Sequence, residues 1–383
     1  MPIAQILQPL HSIFMIASFV LGCVVGSFCN VCICRWPMGE SVIRPRSRCP
    51  KCLNSIAWYD NIPLVSWLAL GAKCRHCGQP ISWKYPLVEA ITGALFMAVF
   101  WRFGFDVATP IYMALCAALV IVTFQDLADW TIPNEITLPG ILAGIGVSLL
   151  AMTQQESMLR VADPIDSLDG IAAGCFIICL MDSVVVLLLR KPGMGFGDVK
   201  LLAMLGAFLG WRGVIGTLLI GSLVGSVVGV AMILYFRSRQ DADTTEPSDQ
   251  PTNLQDAPID PVAAVALGAC TVYLAARCFY YLLSDDMLPP ELRPILTITA
   301  GVVTAFAMIV SGLSLSLYAR QQKSAPAKHG SRIAEHLEGG AQEEDLEITL
   351  QGHYLPFGPY LAAGGILFLF FGPELYQWYT VTL

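Results

Sequence analysis

Of 383 residues, 55% are hydrophobic and only 13% charged; the formal net charge is −7 at pH 7 and the mean hydropathy is +0.63. Soluble domains carry about 25% charged residues, so this composition excludes a chain that folds in water alone and predicts an all-α polytopic membrane protein. The acidic excess lies in two polar stretches rather than on the apolar segments, and nothing in it suggests a nucleic-acid partner.

A helix that crosses the hydrocarbon core needs about 20 predominantly apolar residues. Such segments lie at 12–34, 85–104, 108–125, 132–152, 168–189, 199–211, 213–237, 261–283, 294–318 and 355–379, which predicts about ten transmembrane helices. The 199–211 segment is short. The first segment follows MPIAQILQPLH, which lacks a basic region, and is too long for a signal sequence, so it is expected to be an uncleaved span. No internal repeat is legible.

Between the first two spans, residues 35–84 hold eight of the 22 basic residues against only Glu40 and Asp60, which assigns this loop to the cytoplasmic side. The same loop contains Cys49-x2-Cys52 and Cys74-x2-Cys77, separated by 21 residues. Two such pairs present four thiolates to one tetrahedral ion, and zinc is the preferred metal, with iron as the competitor. Four cysteine ligands leave no open position, so the metal is structural. A loop of this size builds little core, and the metal then supplies much of its folding energy. His76, inside the second pair, reads as a surface residue. Nine of the 13 cysteines lie within or at the ends of apolar spans and read as small core residues.

Two acidic sites interrupt the apolar pattern. In FQDLADWTIPNE, Asp126 ends a span and Asp129 follows one helical turn later; in GMGFGDVKLL, Asp198 follows three glycines. Alternation of the spans puts Asp126 and Asp198 at cytoplasmic ends, where they can meet. An ionisable residue at membrane depth is a functional candidate, and two adjacent carboxylates share a proton and can perform aspartic-protease chemistry. Asp198 can equally cap the helix that follows it, and the residues alone leave both readings open. Asp182, within a span, reads as structural. Asp129 and Glu135 either contact a basic substrate segment or are solvated. Lys200 either pairs with Asp198 or snorkels to the headgroups. A proton or cation transporter using Asp126, Asp182 and Asp198 is the competing function.

Residues 238–260 and 319–352 are polar linkers by composition, flanking the two spans 261–283 and 294–318. An even number of added spans leaves the last helix in its original orientation.

GSFCNVCICRWP (26–37), PRSRCPKC (45–52), WYDNIPLVSWL (58–68), CRHCGQPISWKYPLVE (74–89), DLADWTIPNEITLP (126–139), GMGFGDVKLLAMLGAFLGW (193–211) and LPFGPYLAAGG (355–365) resemble, in order, the motifs of the prepilin peptidases, or type IV leader peptidases. The resemblance implies a GxGD aspartic protease of the inner (cytoplasmic) membrane, with Asp126 and Asp198 as its catalytic pair. It implies cleavage of the basic leader from type IV prepilins or type II secretion pseudopilins on the cytoplasmic side, with the pilus or secretion assembly machinery as partner. The cysteine loop further implies N-methylation of the new N-terminus, with S-adenosylmethionine as the methyl donor; the alternative is a protease only, with the zinc loop purely structural. Five regions are expected: a first transmembrane helix (1–34), a cytoplasmic zinc-binding domain (35–84), a protease core (85–237), an insertion (238–352) and a final helix (353–383). The insertion departs from the family pattern and interrupts no motif.

Overall fold

The computed structural model describes residues 3–153, 158–189, 195–240 and 356–382. The chain is all-helical there: α1 (Ile3–Arg35), a 3-10 turn (Trp58–Asn61), α2 (Val65–Ala69), α3 (Lys84–Phe103), α4 (Ala108–Asp129), α5 (Asn134–Thr153), α6 (Pro164–Leu189), α7 (Phe196–Gln240) and α8 (Gly358–Thr382). Six helices among the described residues are long and apolar enough to cross a membrane, namely α1 and α3 to α7. The expected count of ten is not confirmed among the described residues. The segments 199–211 and 213–237 fall within the one element α7, and 261–283 and 294–318 lie outside the described residues, as does nearly all of both linkers.

α1 packs along α3, which leads to α4, while α7 is flanked by α5, α6 and α8. Apolar side chains all round these helices suit burial against protein on one face and lipid on the other. α6 and α7 approach to backbone contact. A Cβ at Gly170 would meet the Gly206 carbonyl oxygen at 2.2 Å, and Ser167 donates to the Ala207 carbonyl at 3.0 Å. Small residues at a crossing let two helices gain dispersion and hydrogen bonding where lipid supplies no hydrophobic drive.

α7 breaks at Gly210, with φ 70° and ψ 179°, which explains why the sequence divides into two apolar segments there. Asp166 of α6 caps the second half, its carboxylate accepting the N–H groups of Trp211 and Ala162. A Cβ at Gly210 would lie 2.6 Å from that carboxylate. Backbone of this kind is essentially restricted to glycine and costs other residues about 1–3 kcal/mol. Gly210→Ala is expected to destabilise the bundle by at least about 2 kcal/mol, seen as a lowered midpoint of thermal unfolding in detergent.

Pro373 sits inside α8 and cannot donate to the Leu369 carbonyl four residues earlier. Arg160, from the loop between α5 and α6, donates Nε and Nη2 to that same oxygen at 3.0 and 2.7 Å. Arg102 of α3 donates to the Phe370 carbonyl and pairs with Glu374 at 2.5 Å. The backbone group freed by the proline is thus satisfied within the protein, as a membrane requires. These contacts put the C-terminal ends of α3 and α8 at one end of the bundle. The other end gathers the starts of α3, α7 and α8, the ends of α1 and α4, and the cysteine loop.

That loop corrects the expectation of no internal repeat. CPKCLNSIAW (49–58) and CRHCGQPISW (74–83) align residue for residue, each followed by Pro-Leu-Val. The folds repeat too. Cys49 N–H bonds the Asn54 carbonyl and Leu53 N–H the Cys49 carbonyl, at 2.9 and 2.8 Å; Cys74 with Gln79, and Gly78 with Cys74, do the same at 2.8 and 2.9 Å. Leu53 and Gly78 occupy the same left-handed position, at φ 58° and 70°.

Candidate active site and metal centre

Asp126 lies in the last turn of α4, which Trp130 ends in the left-handed conformation, its N–H bonded to the Asp126 carbonyl. Asp198 lies in the first turn of α7, which starts at Phe196, and its N–H bonds the Gly195 carbonyl at 3.2 Å. It stands inside the helix rather than at the cap. Both carboxylates are buried, at 5% and 8% exposure, and close enough for the charge of one to act on the other. Two helices running in opposite directions thus bring together residues 72 positions apart, at the end of the bundle that carries the cysteine loop.

A third element reaches the pair. The Gly358 N–H, at the start of α8, donates to Asp126 Oδ2 at 3.1 Å. A Cβ at Gly358 would meet that oxygen at 2.4 Å and Ile132 at 3.2 Å. Ile132 also packs against Gly197, where a Cβ would approach it to 3.0 Å. Glycine is required at 358 because any side chain there would collide with the carboxylate that its N–H reaches. Gly358→Ala is expected to lower any turnover that depends on the two carboxylates by roughly tenfold or more, since a misplacement near 1 Å costs about a hundredfold, while purification yield and helical content stay near wild type.

The remaining acidic and basic candidates differ from this pair in burial or in partner. Lys200 bonds the Asn134 side chain at the start of α5 and lies over the Phe196 ring, 5.3 Å from its centroid. It ties α7 to α5. Asp129 and Glu135 are exposed, and Asp182 is half-buried in α6. Gly193 lies outside the described residues, so the glycine run is seen only from Gly195.

The Sγ atoms of Cys49, Cys52, Cys74 and Cys77 all lie within 4.8 Å of one another, with Cys49 and Cys77 3.9 Å apart. Tetrahedral metal–sulfur bonds of about 2.3 Å put sulfurs about 3.8 Å apart, so the four thiols fit a zinc ion. The two knuckles contribute two ligands each. Backbone N–H groups of Cys77 and His76 push the Cys74 thiol down to about 6, whereas burial pushes Cys49 up to about 11. His76 is exposed and outside the ligand set. Arg75 locks the second knuckle to the intervening loop through a two-point ion pair with Asp60, at 2.7 and 2.8 Å, and holds that carboxyl below its usual range.

Comparison with known proteins gives the family of the chain. The model for the Bacterial Peptidase A24 N-terminal domain matches residues 20–103, and that for the Type IV leader peptidase family matches residues 113–230. A prepilin leader peptidase/N-methyltransferase of Myxococcus xanthus is 45% identical over 250 residues, covering 65% of this chain and 70% of the relative. The chain belongs to the type IV leader peptidase family. Proteins of the same description from Stutzerimonas stutzeri and Aeromonas hydrophila are 34% and 35% identical over 243 and 246 residues, covering 57% and 58% of this chain and 81% and 82% of theirs. No solved structure matches.

The first family region spans the four cysteines and the second spans both aspartates. Gly358 lies beyond both, and its hydrogen bond reaches Asp126 from a helix 232 residues along the chain. Its sequence signal is the motif LPFGPYLAAGG, which marks the segment without giving Gly358 a role. Glu89 also escapes sequence reasoning. It stands within an apolar segment, is buried at 8% exposure, and accepts the Leu64 N–H at 2.8 Å.

Proposed function

We propose that this protein is a multi-pass membrane enzyme that removes the leader from prepilins or pseudopilins and N-methylates the N-terminus so exposed. The observation that carries the reading is the buried pair Asp126 and Asp198, in a chain 45% identical to a prepilin leader peptidase/N-methyltransferase. Two neighbouring carboxylates share one proton. The ionised partner draws a proton from water, whose oxygen attacks the scissile carbonyl, and the protonated partner donates to the carbonyl oxygen. The N–H of Gly358 holds the Asp126 carboxylate in place, and the low-dielectric pocket strengthens each of these interactions.

The basic loop 35–84 supports a cytoplasmic position for this end of the bundle, and with it cleavage at the membrane surface. The regions 1–34, 35–84, 85–237, 238–352 and 353–383 serve as first helix, metal-binding domain, protease core, insertion and final helix. Zinc on Cys49, Cys52, Cys74 and Cys77 holds the two knuckles together without entering the reaction. S-adenosylmethionine, when bound, supplies the methyl group. The pilus or secretion assembly machinery receives the product.

Purified protein in detergent, given a prepilin and S-adenosylmethionine, tests the reading by mass spectrometry. The expected product lacks the leader and carries one added methyl group. An intact prepilin after prolonged incubation overturns the reading.

A further inference from the structure

The last three turns of α1 and the cysteine domain border an open cleft of about 510 Å3, within the range of small-molecule sites, roughly 300–1,000 Å3. Its floor is one face of α1, where Val24, Phe28, Val31 and Arg35 recur at helical spacing over about 16 Å. Its roof is built from residues 42, 43, 45–47 and 61–63 of the cysteine domain. Arg35 straps that roof down, its Nη1 donating to the Ser41 and Pro45 carbonyls at 3.0 and 2.9 Å. The roof then runs directly into the first knuckle, where the Ser47 carbonyl accepts the Ile56 N–H at 2.9 Å. The shape of the cleft therefore depends on the fold that the four cysteines stabilise.

The cleft is chemically divided. Arg46 is exposed at one part, in a run where Arg44, Arg46 and Arg48 alternate. At another, Ser27 and Pro63 line the wall, and directly behind them stands the buried Glu89, bonded to the Ser27 hydroxyl and the Leu64 N–H. Both of these partners are neutral. Leu64 reaches Glu89 from a tight turn at φ 61° and ψ −47°, closed by a 2.6 Å bond from the Val65 N–H to the Pro63 carbonyl. A bulky side chain rarely adopts this backbone, and such strain persists where surrounding structure holds it. Between the charged groups lie Phe28, the Asn61 amide and aliphatic walls.

S-adenosylmethionine carries a carboxylate, adjacent cationic groups and a flat purine. Those parts match, in turn, a guanidinium fork, a buried carboxylate and an apolar wall with an aromatic ring and an amide. We infer that the cleft between α1 and the cysteine domain is the methyl-donor site, with Arg46 receiving the donor's carboxylate and Glu89, through the Ser27 wall, its positive charge. This rests on the N-methyltransferase reading and gives the cysteine domain its role in it: the metal-held knuckles form the roof.

The test is equilibrium binding of tritiated S-adenosylmethionine to the full chain in detergent, beside methylation of a prepilin peptide already lacking its leader. Arg46→Ala and Glu89→Gln are each expected to weaken donor binding at least tenfold, with bound metal per chain unchanged. Arg44→Ala, whose side chain lies outside the cleft, is expected to bind as wild type. Wild-type affinity in both Arg46→Ala and Glu89→Gln, with methylation intact, overturns the site and leaves the enzymatic reading standing. A wild-type protein that neither binds the donor nor methylates the peptide overturns the reading itself. Arg46 is exposed, so its variant reports on the site even where Glu89→Gln disturbs folding.

Discussion

Asp126→Asn and Asp198→Asn are each expected to reduce leader cleavage by at least about a thousandfold, as removal of one member of a concerted catalytic unit does. Asparagine preserves shape and accepts the Gly358 N–H, so the change removes ionisation and little else. The double variant is expected to be no slower than the worse single one. Two groups that act by sharing one proton fail together, whereas independent contributions would multiply. Donor binding in the α1 cleft is a further readout that a general collapse of the bundle would move. Cleavage above a tenth of wild type in either single variant would remove that carboxylate from the mechanism, whatever its burial.

How far this pair was legible from sequence follows from the physics of each feature. Asp126 and Asp198 stand out because charge is rare in apolar segments, and alternation of spans is enough to bring them to one end. Their immediate surroundings depend on long-range packing. Gly358 reaches Asp126 across 232 residues, and nothing local marks its N–H as a donor to a carboxylate. Lys200 follows Asp198 by two positions, a spacing that suggests a pair, yet on a helix residues two apart point in different directions. It bonds Asn134 instead.

Backbone accounting explains the rest. The break at Gly210 shows in sequence only as two apolar runs, because the cap that stabilises it, Asp166, comes from another helix. Arg160 reads as an isolated basic residue in a loop. Its role appears once Pro373 is seen to free the Leu369 carbonyl, which Arg160 then fills. The paired knuckles are the opposite case. Their repeat is present in the residues themselves, but cysteine spacing draws attention to the ligands and away from the matching Ile-x-Trp and Pro-Leu-Val that follow.

That repeat leads to the second large effect. Each knuckle offers two thiolates, and neither half completes a tetrahedral site alone. Cys49→Ser and Cys74→Ser, one from each half, are therefore expected to lose metal to a similar degree, from about one ion per chain to a small fraction of that. Removing metal removes folding free energy from a loop too small to compensate. The domain is then expected to become protease-sensitive between residues 35 and 84, and N-methylation to be lost because the roof of the α1 cleft goes with it. Cleavage should persist in part, since Asp126, Asp198 and Gly358 all belong to α4, α7 and α8. Metal retention is also expected to weaken as pH falls. The ion must displace a proton from thiols such as Cys49, raised to about 11 by burial, and acid restores that proton. Full methylation by a metal-free Cys49→Ser protein would separate the methyl-transfer site from the cysteine domain.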